Sequence, residues 1–214
     1  MSERVYTVLF MAAVAAAFTA GVSGVSLMSR ERIRLNERLS RRRLQMEALG
    51  IQVPEDATLQ EVAALYEERM EETELSYEDG GTTYPLLAGR SADGRRLGYV
   101  FETVGSGLWG PIHGYLAVNP EGTKTLGVAF FEHSETPGLG GEITRDWFKS
   151  QFRGLELPPG FAEGEQPVEL KAPSAEHGPY DVDAITGATQ TSNGVEAMLN
   201  SDLRAVVKLL REQK

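Results

Sequence analysis

The sequence predicts an α+β protein: an N-terminal transmembrane helix and a helical stalk, then a domain with an antiparallel sheet and flanking helices. Residues 5–28 carry no charge, and as a helix they would span about 36 Å, enough for a hydrocarbon core of about 30 Å. From residue 84 to 132, β-rich runs alternate with Gly, Asp and Asn-Pro turns, which indicates successive antiparallel strands. Apolar residues then recur at helical spacing from Val195 to Leu210.

The N-terminal segment, residues 1–29, is predicted to be an uncleaved membrane anchor. A cleaved signal peptide is the alternative, but it needs a shorter apolar core and a small-residue cleavage site. Residues 30–55 are rich in helix formers and arginine, and we interpret them as a stalk that continues the anchor, with arginines at the lipid headgroups. Seven arginines follow the span and one precedes it, so the positive-inside rule places the main domain in the cytoplasm.

The charge of the remaining chain restricts its partners. Residues 1–50 hold 8 basic and 4 acidic residues, whereas residues 51–214 hold 13 and 27. A body this acidic argues against nucleic-acid binding, which requires a basic surface. Cysteine is absent and none of the three histidines are paired four residues apart, which argues against thiolate or histidine metal centres.

The domain, residues 56–214, is predicted to open with a helix from Thr58 to Glu72, because Thr58 and Glu61 have the spacing of a capping box. A short amphipathic helix, Ile143–Phe152, should direct its aromatic residues into the core, and a final helix should run from Gly194 to Leu210. The aromatic residues are Trp147, Phe148 and Phe152. Strands are predicted at Tyr84–Leu87, Leu97–Thr103, His113–Val118, Leu126–Phe131, Val168–Lys171 and Val182–Ile185.

The stretch with the clearest chemistry is Asp183–Ser192, which places Gly187 and Ala188 among four hydroxyl side chains. Those hydroxyls belong to Thr186, Thr189, Thr191 and Ser192. Small residues let the backbone approach an anion, and the helix that follows favours negative charge at its N-terminus. Taken alone, the stretch is more typical of an ordinary Ser/Thr-rich helix cap, because such caps are common.

Two further stretches are candidate ligand contacts. The loop Glu135–Gly140 follows a hydrophobic strand and contains Pro137 and two glycines, so its amides and the Thr136 hydroxyl can face a polar ligand. Trp109 lies between two glycines, where its ring can stack on a planar ligand or wedge a hairpin. Both readings stay open from the sequence.

Together these stretches resemble a known family. Asp183-x-x-Thr186-Gly-Ala-Thr189-x-Thr191 is similar to the flavinylation motif of the FMN-binding domain family, and Glu135–Gly140 resembles the loop that packs on the flavin there. Within this family, the stretches Gly107–Trp109 and Thr189–Gly194 are similar to the C subunits of Na⁺-translocating NADH:quinone oxidoreductases. The G subunits of Rnf complexes are the next most similar group.

The resemblance implies one covalent FMN per chain, joined through a phosphoester to Thr189 by a separate FAD-dependent FMN transferase. Thr191 and Ser192 are then expected to donate hydrogen bonds to the phosphate. Lys171 is either a group that stabilises reduced flavin or an ordinary surface lysine. The other expected cofactor-binding residues are Thr186, Gly187, Ala188, Glu135, Thr136, Gly138, Leu139, Gly140 and Trp109.

The resemblance also implies a redox subunit of a respiratory ion-translocating oxidoreductase, with other membrane redox subunits of an Nqr- or Rnf-like complex as partners. The chain would cross the bacterial inner membrane once, with its flavin domain on the extracytoplasmic side, against the arginine count. A Gly-x-Gly-x-x-Gly fingerprint between a strand and a helix is absent, so NADH binding by this chain is not expected. The alternatives are an Rnf-type G subunit or a stand-alone anchored flavoprotein reductase.

Overall fold

The computed structural model describes residues 3–76, 83–159 and 166–212 of the 214-residue chain. Its α-helices are α1 (Glu3–Ala48), α2 (Leu59–Arg69), α3 (Asp146–Lys149) and α4 (Thr189–Glu212). Its strands are β1 (Met70–Ser76), β2 (Thr83–Arg90), β3 (Arg96–Ser106), β4 (Pro111–Val118), β5 (Thr125–Glu132), β6 (Glu169–Lys171) and β7 (Asp181–Asp183). Short 3₁₀ helices flank α3 at Gly140–Thr144 and Ser150–Phe152. The predicted α+β class is therefore confirmed.

The chain forms two compact units, Met1–Ser40 and Arg41–Lys214. Helix α1 is continuous through the first unit and ends at Ala48, seven residues before the predicted end of the stalk. Among the described residues, α1 is the helix that is long and apolar enough to cross a membrane, judged by length and composition. Its large apolar side chains in this region are exposed, among them Phe10, Phe18 and Met28.

The second unit is built on a five-stranded antiparallel meander in the order β1-β2-β3-β4-β5. Successive side chains of a strand point to opposite faces, and Phe130 and Phe131 show this on β5. Phe130 joins the main core and lies 6.3 Å from Phe148, measured between ring centroids. Phe131 points the other way, where the Arg41 guanidinium at the end of α1 lies 4.2 Å from its ring centroid. The sheet is therefore covered on both faces.

Helix α4 closes the main core with a continuous apolar face, because apolar residues recur three and four positions apart. The buried residues of this face are Val195, Met198, Leu199, Leu203, Val206, Val207 and Leu210, as the sequence pattern predicts. The helix begins at Thr189 rather than at Gly194. The reason is that the Ser192 N–H donates to the Ala188 carbonyl at 3.0 Å, so helical bonding starts inside the hydroxyl-rich stretch.

Glycines allow α4 to pack very close to β3. A Cβ atom at Gly194 would lie 2.1 Å from the Ser106 carbonyl oxygen. A Cβ atom at Gly105 would lie 2.5 Å from the Met198 Cβ. Both contacts are too short for any side chain larger than hydrogen, so they fix the height of the helix above the strand.

The short parallel pair β6–β7 is joined to α4 by side chains that replace missing sheet partners. The Asn200 amide accepts from the Val168 N–H at 2.9 Å and donates to the Val168 carbonyl at 2.7 Å. One turn earlier, the Glu196 carboxylate accepts from the Leu170 N–H at 2.6 Å. These bonds hold β6 in place, and β6 pairs with β7 immediately before the threonine-rich turn that follows.

Two sequence-based predictions were wrong in detail. The helix predicted as Thr58–Glu72 ends at Arg69, and Met70–Ser76 forms the edge strand β1. The strand was not predicted because its sequence contains three glutamates and few apolar residues. Such charged side chains are typical of edge strands, where they prevent the sheet from pairing with other chains. The helix predicted as Ile143–Phe152 is broken into 3₁₀ and α segments, and Trp147 is 44% exposed rather than in the core.

Gly194→Ala should destabilise the domain. Alanine gains up to about 1 kcal/mol of helix propensity over glycine, but its methyl group meets the Ser106 carbonyl, and overpacking costs about 1–3 kcal/mol. We expect the free energy of unfolding to fall by roughly 1–2 kcal/mol, measured by urea denaturation of the full chain in detergent. The matched control is Gly110→Ala, where the nearest atom is the flexible Ser134 hydroxyl at 3.3 Å. Equal stability of the two variants would contradict the packing argument.

Asp202→Asn should stabilise the domain at neutral pH. Burial on α4 raises the pKa of Asp202. A raised carboxyl pKa means that the folded state binds the proton more tightly than the unfolded state, so stability falls as the pH rises through the folded pKa. The variant should therefore gain unfolding free energy at pH 7 and lose that advantage below the unfolded pKa. If Asp202→Asn raises the free energy of unfolding by the same amount at pH 7 and at a pH below the unfolded pKa, this explanation is refuted.

Candidate functional site

Two of the predicted stretches form turns of the same kind. In the glycine turn, Thr136–Leu139, the Leu139 N–H donates to the Thr136 carbonyl at 3.1 Å and Gly138 has a φ of 76°. In the threonine turn, Ile185–Ala188, the Ala188 N–H donates to the Ile185 carbonyl at 3.0 Å and Gly187 has a φ of 78°. A positive φ at the third residue is what a type II turn requires, and glycine adopts it without strain.

The structure brings the two turns together. The Leu139 side chain reaches to 3.3 Å from the position that a Cβ atom would take at Gly187. Leu139 is also 43% exposed, so its isobutyl group presents apolar surface beside the threonine turn. A side chain at position 187 would press on this Leu139 methyl group and would have to adopt a positive φ, which residues other than glycine rarely do.

The start of α4 suits an anion. Ala188 supplies the first carbonyl of the helix but has no side-chain oxygen with which to cap it. The first turn of α4 contains no acidic residue. The first amide N–H groups of a helix lack intrahelical acceptors, and the helix dipole favours negative charge there. Ala188 therefore offers no side-chain acceptor to the first amide N–H groups of α4. A phosphate placed beside Thr189 would accept hydrogen bonds from them.

The four hydroxyls of the stretch are not equivalent. Thr186 and Thr189 are exposed, whereas Thr191 and Ser192 are each 1% exposed. The Ser192 hydroxyl accepts from the Ile185 N–H at 3.0 Å and donates to the Ala188 carbonyl at 3.1 Å. Thr191 donates its hydroxyl to the Glu135 carboxylate at 2.5 Å. Both buried hydroxyls are thus engaged by the protein, a difference that no local sequence pattern indicates.

Glu135 and Trp109 meet across the site. Glu135 is 5% exposed, and its Oε1 atom accepts from the Trp109 backbone N–H at 2.9 Å. The tip of this hairpin is closed by a bond of 2.8 Å from the Gly107 N–H to the Gly110 carbonyl. The Trp109 side chain is 67% exposed, so the ring does not wedge the hairpin and is open to a planar partner.

Lys171 is held by an ion-pair network on the short parallel strands. Its ammonium lies 2.8 Å from Asp181 and 3.3 Å from Glu169. The hydrogen bond to Asp181 raises the pKa of Lys171. Burial opposes ionisation of Asp181, but Lys171 and the Gly178 N–H hold the pKa of that carboxyl below its ordinary value. The contacts of the Lys171 side chain therefore favour a role in fixing β6 and β7.

Sequence reasoning missed two residues that hold the strand leading into the threonine turn. Gln151 accepts from the Asp183 N–H at 2.6 Å and donates to its carbonyl at 3.4 Å. His177 Nε2 lies 3.1 Å from the Asp183 carboxylate. No sequence pattern identifies Gln151, because it lies in a segment whose apolar spacing predicts only a helix. Within the described residues, no group of three His, Asp or Glu side chains is placed to hold a metal ion.

The sequence of this region matches known proteins. Residues 107–204 match the family described as FMN-binding domain. The C subunit of the Na(+)-translocating NADH-quinone reductase of Yersinia pestis is 37% identical over 113 residues, which cover 50% of this chain and 41% of the relative. The corresponding protein of Vibrio anguillarum is 41% identical over 97 residues, covering 43% and 36%. The matched region thus spans about two fifths of the length of these relatives.

Solved structures share the fold. The C subunit of the Na(+)-translocating NADH-quinone reductase of Parabacteroides distasonis aligns with a TM-score of 0.68 at 28% identity, covering 85% of this chain and 96% of that one. NqrC of Shewanella oneidensis aligns with a TM-score of 0.70 at 20% identity, covering 83% and 97%, and shows the fold alone. In sequence and in fold, the chain is therefore similar to NqrC proteins, and its residues 107–204 match the FMN-binding domain family.

Proposed function

We propose that the chain is a membrane-anchored electron-transfer subunit of an Nqr-like ion-translocating NADH:quinone oxidoreductase, carrying one FMN as a phosphoester on Thr189. The observation that carries the proposal is the exposed Thr189 hydroxyl at the first residue of α4, beside the glycine turn and inside the FMN-binding match. The residues fit the cofactor, because amide donors suit its phosphate and exposed apolar side chains suit its ring.

Thr189 is favoured over its neighbours by accessibility and by its place on the helix. Thr191 and Ser192 are buried and bonded to protein groups, so their role in the proposal changes from phosphate donors to supports of the turn. Thr186 is exposed, but it precedes the helix and lies at the second position of the threonine turn. Of these four hydroxyls, Thr189 alone combines exposure with the amide N–H groups of the first turn.

The ring of the flavin would lie against the glycine turn. Leu139 and Trp109 offer exposed apolar surface, and Thr136, Gly138 and Gly140 supply a backbone without bulky side chains. The flavin supplies reversible uptake of electrons, and these residues orient it and cover part of its surface. Ala188 and Gly187 keep the backbone close to the phosphate. The ion pairs of Lys171 make it a support of the strands rather than a flavin contact.

The partners follow from the same proposal. The relatives are named as subunits of a reductase, so the chain would exchange electrons with other membrane redox subunits and bind neither NADH nor quinone. An FAD-dependent FMN transferase would attach the flavin: the Thr189 hydroxyl oxygen bonds to the FMN phosphorus of FAD, the phosphoanhydride bond breaks, AMP leaves and the hydroxyl proton is released. Helix α1 would cross the bacterial inner membrane once, in contact with lipid, with the flavin domain on the extracytoplasmic side.

Thr189→Ala should abolish covalent flavin. When the wild-type chain is co-expressed with the transferase, the denatured protein should fluoresce on a gel and gain the mass of one FMN less one water. The alanine variant lacks the oxygen that forms the phosphoester, so both signals should disappear. Thr186→Ala is the matched control and should keep both, because its hydroxyl is exposed but not attached. Flavin that stays on the Thr189→Ala variant through denaturation would exclude Thr189 as the attachment site.

The side of the membrane can be tested because the chain has no cysteine. Ala92 lies on an exposed turn between β2 and β3, so an Ala92→Cys variant should react with an impermeant maleimide added outside the inner membrane. Glu3→Cys reports the opposite side and should react only after that membrane is opened. The reverse pattern would place the flavin domain in the cytoplasm, as the arginine count predicts.

A further inference from the structure

We propose that Glu135 is a positioning residue that sets the geometry in which Thr189 is presented for flavin attachment, without itself contacting the flavin. The inference rests on the proposed function, because it concerns the attachment of FMN to Thr189. It replaces the sequence-based expectation that Glu135 binds the cofactor. In this role the carboxylate joins three segments: the hairpin tip Gly107–Gly110, the loop that contains the glycine turn, and the first turn of α4.

The contacts of Glu135 define this carboxylate clamp. One oxygen, Oε1, accepts from the Trp109 N–H at 2.9 Å, and the other, Oε2, accepts from the Thr191 hydroxyl at 2.5 Å. The side chain is 5% exposed and Thr191 is 1% exposed, so the clamp is enclosed by protein. Because Thr191 lies two residues after Thr189 on α4, the second bond acts directly on the turn that presents the Thr189 hydroxyl.

Glycines on both sides of the carboxylate show how closely it is enclosed. A Cβ atom at Gly107 would lie 2.4 Å from Oε1. A Cβ atom at Gly140 would lie 2.6 Å from Oε2 and 2.5 Å from the Thr191 hydroxyl oxygen. Each distance is too short for a side chain, so two positions are kept free of side chains around one buried carboxylate.

The chemistry of the two bonds explains why a carboxylate suits the position. Its partners are a backbone amide and a hydroxyl, both neutral donors on different segments, and a carboxylate has two acceptor oxygens that can serve both at once. Glutamine keeps one acceptor for the Trp109 N–H and offers its NH₂ to the Thr191 hydroxyl, which can accept as well as donate. Leucine has a similar size but leaves both donors without a partner.

Glu135 influences the position of Thr189 in two ways, through the loop that contains Leu139 and through the first turn of α4. Glu135 begins the loop whose Leu139 side chain touches Gly187 in the threonine turn. Loss of the clamp therefore releases that loop on one side and the first turn of α4 on the other. Misplacement of a reacting group by about 1 Å can reduce a rate by up to about a hundredfold, and we expect the attachment step to be slowed accordingly.

The test measures attachment kinetics on the full-length chain in detergent, with purified transferase and FAD. The variants are Glu135→Leu, Glu135→Gln, Thr191→Val and Thr191→Ser, each compared with wild type for covalent FMN per chain over time. Glu135→Leu and Thr191→Val should lower the maximal rate by about ten- to a hundredfold with little change in the chain concentration at half-saturation. Glu135→Gln and Thr191→Ser should stay close to wild type, because each can keep both bonds. The double variant with leucine and valine should be no slower than Glu135→Leu alone.

The outcomes separate the inference from the proposed function. Absence of covalent flavin on the wild-type chain refutes the proposed function, whatever the variants do. Wild-type loading together with wild-type rates for Glu135→Leu or Thr191→Val overturns the clamp. If Glu135→Leu does not fold, the Thr191 pair decides: a slow valine variant restored by serine supports the clamp, and equal rates refute it. A rise in the half-saturating concentration with an unchanged maximal rate also refutes it, because the defect would then lie in recognition of the chain.

Discussion

The close packing of α4 on β3 is the constraint on which the rest of the site depends. Gly194 rests on the Ser106 carbonyl and Gly105 rests on Met198, with no room for a Cβ atom at either glycine. The first turn of the helix is therefore held next to the hairpin that follows β3. At this height one side chain, Glu135, bonds to the hairpin and to the helix at once. The stretch Asp183–Ser192 thus takes its position from a packing contact as well as from its own sequence.

Much of the fold follows from local patterns in the sequence. Helix α4 has an apolar face at helical spacing, and strands β2 to β5 are β-rich runs between clear turn signals, so both are predicted correctly. Strand β1 is not predicted, because its residues Met70–Ser76 include three glutamates and only two large apolar side chains, Met70 and Leu75. The start of α4 also escapes prediction, since the hydroxyl residues there are compatible with a cap, a turn or a helix.

The candidate site shows the same division between local and tertiary information. The two glycine-dependent turns are predictable, because Pro137-Gly138 and Thr186-Gly187 are sequence signals for backbone with positive φ. The sequence does not predict which of the hydroxyls are exposed, because Thr189 and Thr191 have the same side chain and differ only in burial. Lys171 is a comparable case: its isolated position in the sequence gives no hint of Asp181, its partner on the neighbouring strand.

The alanine at the start of α4 has a consequence for the order of events during maturation. A helix without a capping side chain is less stable by about 0.5–2 kcal/mol, and the lost hydrogen bond is one of its first turn. The bond from Thr191 to Glu135 keeps this turn in place, so its amide donors stay without a capping acceptor in the folded chain until an anion arrives. A phosphate bound there would supply the missing acceptor and close the end. The modification would then finish the folding of the helix that carries it.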